Sequence, residues 1–166
     1  VRELEAERAE AVTERQLPAP RKRTPRSKLT EVDFWSLVAC VDADGDDVEP
    51  LVQALAKRSA ADIREFQEQL AHALYRLDTR DFAEHAGDAG TSDDAFLYAR
   101  CYVVGRGKEL YEQVLANPDR FPRDGELESL LGAAPEAFLR RTKEDYEEET
   151  HYSYETGSNA AGWPEP

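Results

Sequence analysis

His85, Asp93, Asp94 and Arg100 are the residues whose types and spacing could do chemistry. Two adjacent carboxylates followed two helical turns later by a guanidinium could line a polar pocket for a small ligand or a peptide group. A histidine nearby adds a group that exchanges protons near neutral pH, and with the carboxylates could serve acid/base work or a metal. Only one histidine lies in this stretch and no motif fixes ligand spacing, so no catalytic residue, metal or cofactor is assigned. The competing reading is structural: Asp93 and Asp94 cap a helix, and Arg100 ties the edge of the core to a neighbouring helix. Either way Arg100 requires a carboxylate partner, because an unpaired buried charge costs several kcal/mol. Asp93, Asp81 and Asp88 are the candidates.

The element that must position Asp93, Asp94 and Arg100 is Gly87–Asn117, with His85 just ahead of it. Gly87, Gly90 and the short polar residues between them break the chain, and Thr91 or Ser92 can then accept a hydrogen bond from an orphan amide as N-cap. With Thr91 as cap, Asp94 falls at the third helical position, a variant of the capping box. Phe96, Ala99 and Val103 form one stripe, with Leu97, Arg100 and Val104 beside it, so most of the helix circumference is apolar and the helix belongs in the centre. Gly105-Arg106-Gly107 interrupts it. Leu110, Val114 and Leu115 then give a second amphipathic run that ends at Asn117-Pro118.

The run Ser92 to Glu112, SDDAFLYARCYVVGRGKELYE, resembles the bacterial family catalogued as domain of unknown function 4240 (DUF4240). The residues that carry the resemblance are Ser92, Asp93, Asp94, Phe96, Tyr98, Arg100, Gly107, Tyr111, Asn117-Pro118 and, upstream, Phe34-Trp35. Ala95, Ala99, Cys101 and Tyr102 stand where Gly, Phe, Ala and Trp are usual. The resemblance covers about Leu29 to Phe121. It implies a helical fold and supports the choice of residues, and it implies no reaction.

Around this element the chain reads as further helices. Thr30 with Asp33 forms a capping pair ahead of Phe34, Trp35, Leu37, Val38 and Val41. Val48–Arg58 follows with Pro50 in its first turn, and Ser59 caps a long helix over Ala60–Asp78 whose stripe is Ile63, Phe66, Leu70, Leu74 and Leu77. His72 lies off that stripe and is expected to be exposed. Asp78–Asp81 is a turn into Phe82–Ala86. After a loop at Phe121–Gly125 come a short helix at Glu126–Leu131 and a last one over Glu136–Glu149, opened by Pro135. Trp35, Phe96 and Tyr111 are expected to be structural anchors. The acidic turn Asp42–Asp47 looks like a calcium loop, but a loop begun at Asp42 would close on Gln53 where the ion needs a bidentate glutamate.

The formal net charge is −14. Residues 1–28 hold eight Lys or Arg against five Glu, which leaves 13 bases and 30 acids for the remainder. That acidic body would repel a phosphate backbone, so no direct nucleic-acid contact by the body is expected; a basic protein is allowed as partner, and the competing reading is that the acids serve solubility. No apolar run approaches the ~18 residues a membrane helix needs. Cys40 and Cys101 lie in apolar helical patterns and are expected to be free thiols packed as small hydrophobes. Together these place the chain in the cytoplasm.

The expected architecture is all-α: a single-domain irregular helical bundle of about five to seven helices over residues 29–147. Residues 1–28 are expected to form a charged helix and a basic, proline-rich linker, and 148–166 a flexible, largely irregular acidic and aromatic tail whose Trp163 can dock on the body, the competing reading being a recognition strip for a basic partner. The expected function is a non-enzymatic interaction or regulatory module engaging a basic partner. The alternative is an enzyme or small-ligand binder of unknown reaction using Asp93, Asp94 and Arg100, with His85 as the acid/base.

Overall fold

The computed structural model describes residues 26–166. The expected N-terminal helix, and the linker up to residue 25, lie outside the described residues. Within them are seven helices: α1 (Glu31–Val38), α2 (Glu49–Ala56), α3 (Ala60–Arg76), α4 (Arg80–His85), α5 (Asp93–Gly105), α6 (Lys108–Ala116) and α7 (Ala133–Thr142). Short 3-10 turns occupy Gly87–Thr91, Pro118–Arg120, Glu128–Gly132 and Ala160–Gly162. Among the described residues there is no strand, only an isolated bridge between Asp42 and Asp47. The fold is the expected all-α one.

Local sequence explains where the helices begin. At α1 the Thr30 hydroxyl accepts from Asp33 N while the Asp33 carboxylate accepts from Thr30 N, a complete capping box. Ser59 caps α3, Thr79 caps α4 and Ser92 caps α5 through side-chain oxygens. Thr91, the other candidate cap, ends the preceding 3-10 turn and donates its hydroxyl to the Asp88 carbonyl. The long α3 is the central element, packed by α1, α2, α5 and α7. Its Ile63, Phe66, Leu70 and Leu74 are fully buried, as the stripe requires. A two-pronged Arg140–Glu49 ion pair, at 2.6 and 3.0 Å, clamps α7 to α2.

Several boundaries differ from expectation. Helix α3 stops at Arg76, before Asp78, and α4 begins at Arg80 because Thr79 takes the cap. The segment expected to be helical at Glu126–Leu131 is a 3-10 turn over Glu128–Gly132. Helix α7 begins early, at Ala133, with Pro135 in the first turn where its missing N–H is harmless. It also ends early: Lys143 turns left-handed (φ 65°), and the acids that follow, Glu144, Asp145 and Glu147–Glu149, would repel one another across successive turns. Cys40 is exposed in the turn after α1 instead of packed.

The two ends of the domain are also tied down. Ser27 and Lys28, assigned to the linker, bind the Asp62 carboxylate at 2.9 and 3.0 Å. The C-terminal tail has no regular structure beyond one 3-10 turn, yet it lies along the body. His151 N binds the Glu68 carboxylate, Glu148 pairs with Arg64 at 2.6 Å, and Tyr146 meets Phe138 edge to face.

Candidate functional site

Arg100 is the largest side chain with no solvent exposure in the domain. Among the described residues its guanidinium bonds no carboxylate. One terminal nitrogen donates to the Leu74 carbonyl (3.0 Å), and the other to the Tyr154 carbonyl (2.9 Å) and the Thr156 hydroxyl (3.0 Å). The expected partners Asp93, Asp81 and Asp88 are therefore replaced by the end of α3 and by the tail. The physical reason is the partial negative charge that a helix gathers on its last carbonyls; the Leu74 carbonyl, in the last turn of α3, accepts from Leu77 N and has a second lone pair for Arg100. The cation also rests over the Phe96 ring, 4.9 Å from its centroid, while its Nε finds no acceptor among the described residues. Burial pulls the Arg100 pKa down and the charge of Asp78 pulls it back up. The group stays protonated, because its pKa starts far above neutrality.

Asp78, which the sequence marked only as a turn residue, is fully buried just past the end of α3. It accepts from Gly157 N (3.0 Å), Asn159 N (3.0 Å) and the Trp163 indole N–H (2.8 Å). A carboxylate at the negative end of a helix is disfavoured by the dipole. The three donors and the field of Arg100 offset that. The tail thus supplies the groups that both buried charges need, and Asn159 Nδ2 adds a bond to the Tyr75 carbonyl at 3.2 Å.

The other three site residues are not gathered around Arg100. Asp93 and Asp94 have exposed side chains in the first turn of α5, where they complement the dipole. The main-chain carbonyl of Asp93 is what the tail uses, accepting the Thr156 hydroxyl at 2.7 Å. His85 turns elsewhere: Nδ1 lies 2.7 Å from the Asp81 carbonyl and Nε2 lies 3.2 Å from the Asp119 carboxylate. The Asp81 carbonyl first, then the Asp81 and Asp119 charges, raise its pKa.

Asp94 instead joins residues far away in sequence. An open cleft of about 690 Å³ lies between the start of α5, the Glu128–Gly132 turn and the tail, lined by Asp46, Asp94, Glu128 and Glu155 with Leu97, Tyr98, Leu131 and Tyr154. Four carboxylates and two phenols line it, with no Lys, Arg or His among the described residues. Glu128 beside Tyr98 pushes that phenol's pKa up, so the ring stays neutral. The acidic turn that resembled a calcium loop is used as a clasp: Asp44 binds Tyr102 and Arg106, Asp46 accepts the Ser129 hydroxyl, and Asp47 accepts Glu49 N. Among the described residues, no group of three or more His, Cys, Asp or Glu is placed to hold a metal ion.

The anchors divide in character. Phe96 is buried against Phe121 and Trp163. Tyr111 is buried with its hydroxyl on the Ala73 carbonyl (3.1 Å), and burial pushes its pKa up to about 12. Trp35 is half-buried against Tyr111 and lines a groove of about 340 Å³ with Glu31, His72 and Arg76. Cys101 is inert, its thiol pushed up to about 12 by burial.

The family model described as "Protein of unknown function (DUF4240)" matches residues 29–147, well over half of the chain. The chain belongs to this family. No match is found among curated proteins or among solved structures. The DUF4240 match contains Asp78, Arg100 and three of the four cleft acids, and stops short of the tail that completes both places. Asp46, Glu128 and Glu155 were missed by sequence reasoning because they stand in three separate segments, and no local spacing joins them. Asp78 carried one usable signal: an acid directly after a long apolar stripe, at a position where the helix dipole disfavours it.

Proposed function

We propose that this DUF4240 chain is a non-enzymatic interaction module that engages a basic segment of a partner protein at the cleft of Asp46, Asp94, Glu128 and Glu155. The observation that carries the proposal is a concave surface lined by one sign of charge. Low-dielectric walls of one sign focus the field outward and raise the local concentration of cationic groups. Tyr98 and Tyr154 offer neutral ring faces to an ammonium or guanidinium, and Leu97 and Leu131 offer apolar contact to its stem. The acidic excess of residues 29–166, a net −17, steers the same partners from a distance. The cytoplasmic setting expected from the sequence is part of the same proposal; among the described residues, no helix is long and apolar enough to cross a membrane.

The test is fluorescence anisotropy with a labelled Arg/Lys-rich peptide across a salt series. Binding should weaken with salt and should fall when Glu128→Gln and Glu155→Gln are combined. The control is Glu109→Gln with Glu112→Gln on α6, which removes equal charge outside the cleft. Equal losses from both pairs would reduce the effect to bulk charge and overturn the cleft as the site. So would an absence of binding at low salt.

A further inference from the structure

We infer that Asp78 and Arg100 floor a peptide-binding cleft, which the chain fills with its own residues 154–163 and which the same segment of a second copy fills in trans. This does not rest on the acidic cleft.

The contacts are those of a protein holding a peptide. The floor reads the main chain of the segment at three points: Arg100 donates to the Tyr154 carbonyl, and Asp78 accepts from the amides of Gly157 and Asn159. Main-chain bonds of this kind give affinity, and side-chain pockets give specificity. Here the side-chain readers are the Thr156 hydroxyl, the Asn159 amide on the Tyr75 carbonyl, and the Trp163 indole on Asp78. Phe96 meets the Trp163 ring edge to face at 6.2 Å.

Register is fixed by two glycines. Gly157 sits at φ +90°, a conformation that side-chain-bearing residues rarely adopt. A Cβ at Gly162 would lie 2.7 Å from the Asp78 carbonyl and 2.8 Å from Thr79 Cγ2. The site therefore selects Thr156-Gly157, Asn159 and Gly162-Trp163 in that spacing, which this chain itself carries. That selects a second copy as the occupant over an arbitrary peptide.

The segment is separable from the body in its chemistry. It contributes no helix beyond the Ala160–Gly162 turn, and it is joined through residues 144–153, which follow the left-handed turn at Lys143. Stretched out, ten residues reach about 33 Å. An empty floor would leave the Asp78 carboxylate without its three donors and Arg100 with only the Leu74 carbonyl, and among the described residues Arg100 Nε lacks an acceptor even when the segment is seated. Filling in trans restores the contacts that residues 154–163 make in cis, while a stretched connection gives up Glu148–Arg64 and His151 N–Glu68, so concentration governs the exchange.

The test mixes two full-length variants. Asp78→Asn damages the floor and keeps the segment; Gly162→Val keeps the floor and carries a segment that cannot seat. On mixing, the intact segment of the first should fill the intact floor of the second. Light scattering should then find a species of twice 18.7 kDa. Its thermal transition should lie above that of either variant alone. Two unmixed monomer populations with unchanged transitions would overturn the inference. Should both variants fail to fold, a full chain with a protease site inserted after Glu144 is cut while folded and offered labelled peptide 145–166. Uptake that is at least about tenfold weaker for the same peptide with Gly162→Val supports the inference. No uptake, or equal uptake of the two peptides, overturns it.

Discussion

The Trp163 indole N–H donates to Asp78 Oδ1 at 2.8 Å, across 85 residues of chain. This bond joins the far end of the tail to a carboxylate with no solvent exposure at the end of the central helix. Hydrogen bonds to a buried charge are stronger than neutral ones, and losing one leaves the charge undersolvated.

Asp78→Ala should therefore be among the most damaging single substitutions in the domain, because it strips three donors of their acceptor and leaves Arg100 without the nearest opposing field. A loss of about 3–5 kcal/mol is expected. Trp163→Phe keeps the ring beside Phe96 and deletes only the N–H, so about 1.5–3 kcal/mol should go. Urea denaturation of the two variants checks both values. A Trp163→Phe midpoint equal to the parent's would contradict a seated tail.

Arg100 and Asp93 should separate cleanly. Arg100→Gln leaves the Leu74 and Tyr154 carbonyls and the Asp78 charge short of a buried cation, at a cost of about 3 kcal/mol or more. Asp93→Asn alters an exposed side chain whose carbonyl, not carboxylate, receives Thr156, so it should stay within about 0.5 kcal/mol of the parent. Thermal melts of the pair distinguish this from a shared Asp93–Arg100 site, which would make the two changes behave alike.

The helices were legible in the sequence because their signals are local. Thr30 and Asp33 stand three apart and form the box that spacing requires; Ser59 and Ser92 cap what they precede; the Ile63–Leu74 stripe is buried as its period demands. The burial of Arg100 was legible too, from its apolar neighbours. Its partners were not, because they come from Leu74, Tyr154 and Thr156, and no periodicity links those positions. The tail was read as flexible and irregular from its acids and interleaved tyrosines; its backbone is irregular, but the segment is seated on the body. Its docking depends on Asp78 and Arg100 needing donors and acceptors that no nearby residue supplies. Cys40 looked buried because it follows an apolar stripe, but α1 ends at Val38 and the thiol faces out.

Gln67 carries an opposite expectation. Its side chain is buried in α3, and its Oε1 has no hydrogen-bond partner among the described residues. A buried acceptor without a donor is a cost that an apolar side chain of similar shape removes. Gln67→Leu should therefore be neutral or should stabilise the domain by up to about 1 kcal/mol, read as a higher urea midpoint at an unchanged slope. A loss beyond about 1 kcal/mol would mean that the amide makes a bond this arrangement does not contain.

His85 fixes the expected pH response at the C-terminal end of α4. The Asp81 carbonyl on Nδ1, with the Asp81 and Asp119 charges, raises its pKa, so the imidazolium is favoured in the folded state. A raised folded pKa contributes stability that is fully present below the unfolded value of about 6.5 and is lost as pH rises through the folded value. The ring is partly exposed, so the effect on stability should be small and should fade with salt. Proton NMR of the ring hydrogens reads it directly: His85 should titrate above about 6.5. Asp119→Asn should move that titration down while leaving a residual upward shift, because the carbonyl of Asp81 remains on Nδ1. A His85 that titrates below its ordinary value would mean that burial outweighs these partners, and the Asp81–His85–Asp119 arrangement would have to be abandoned.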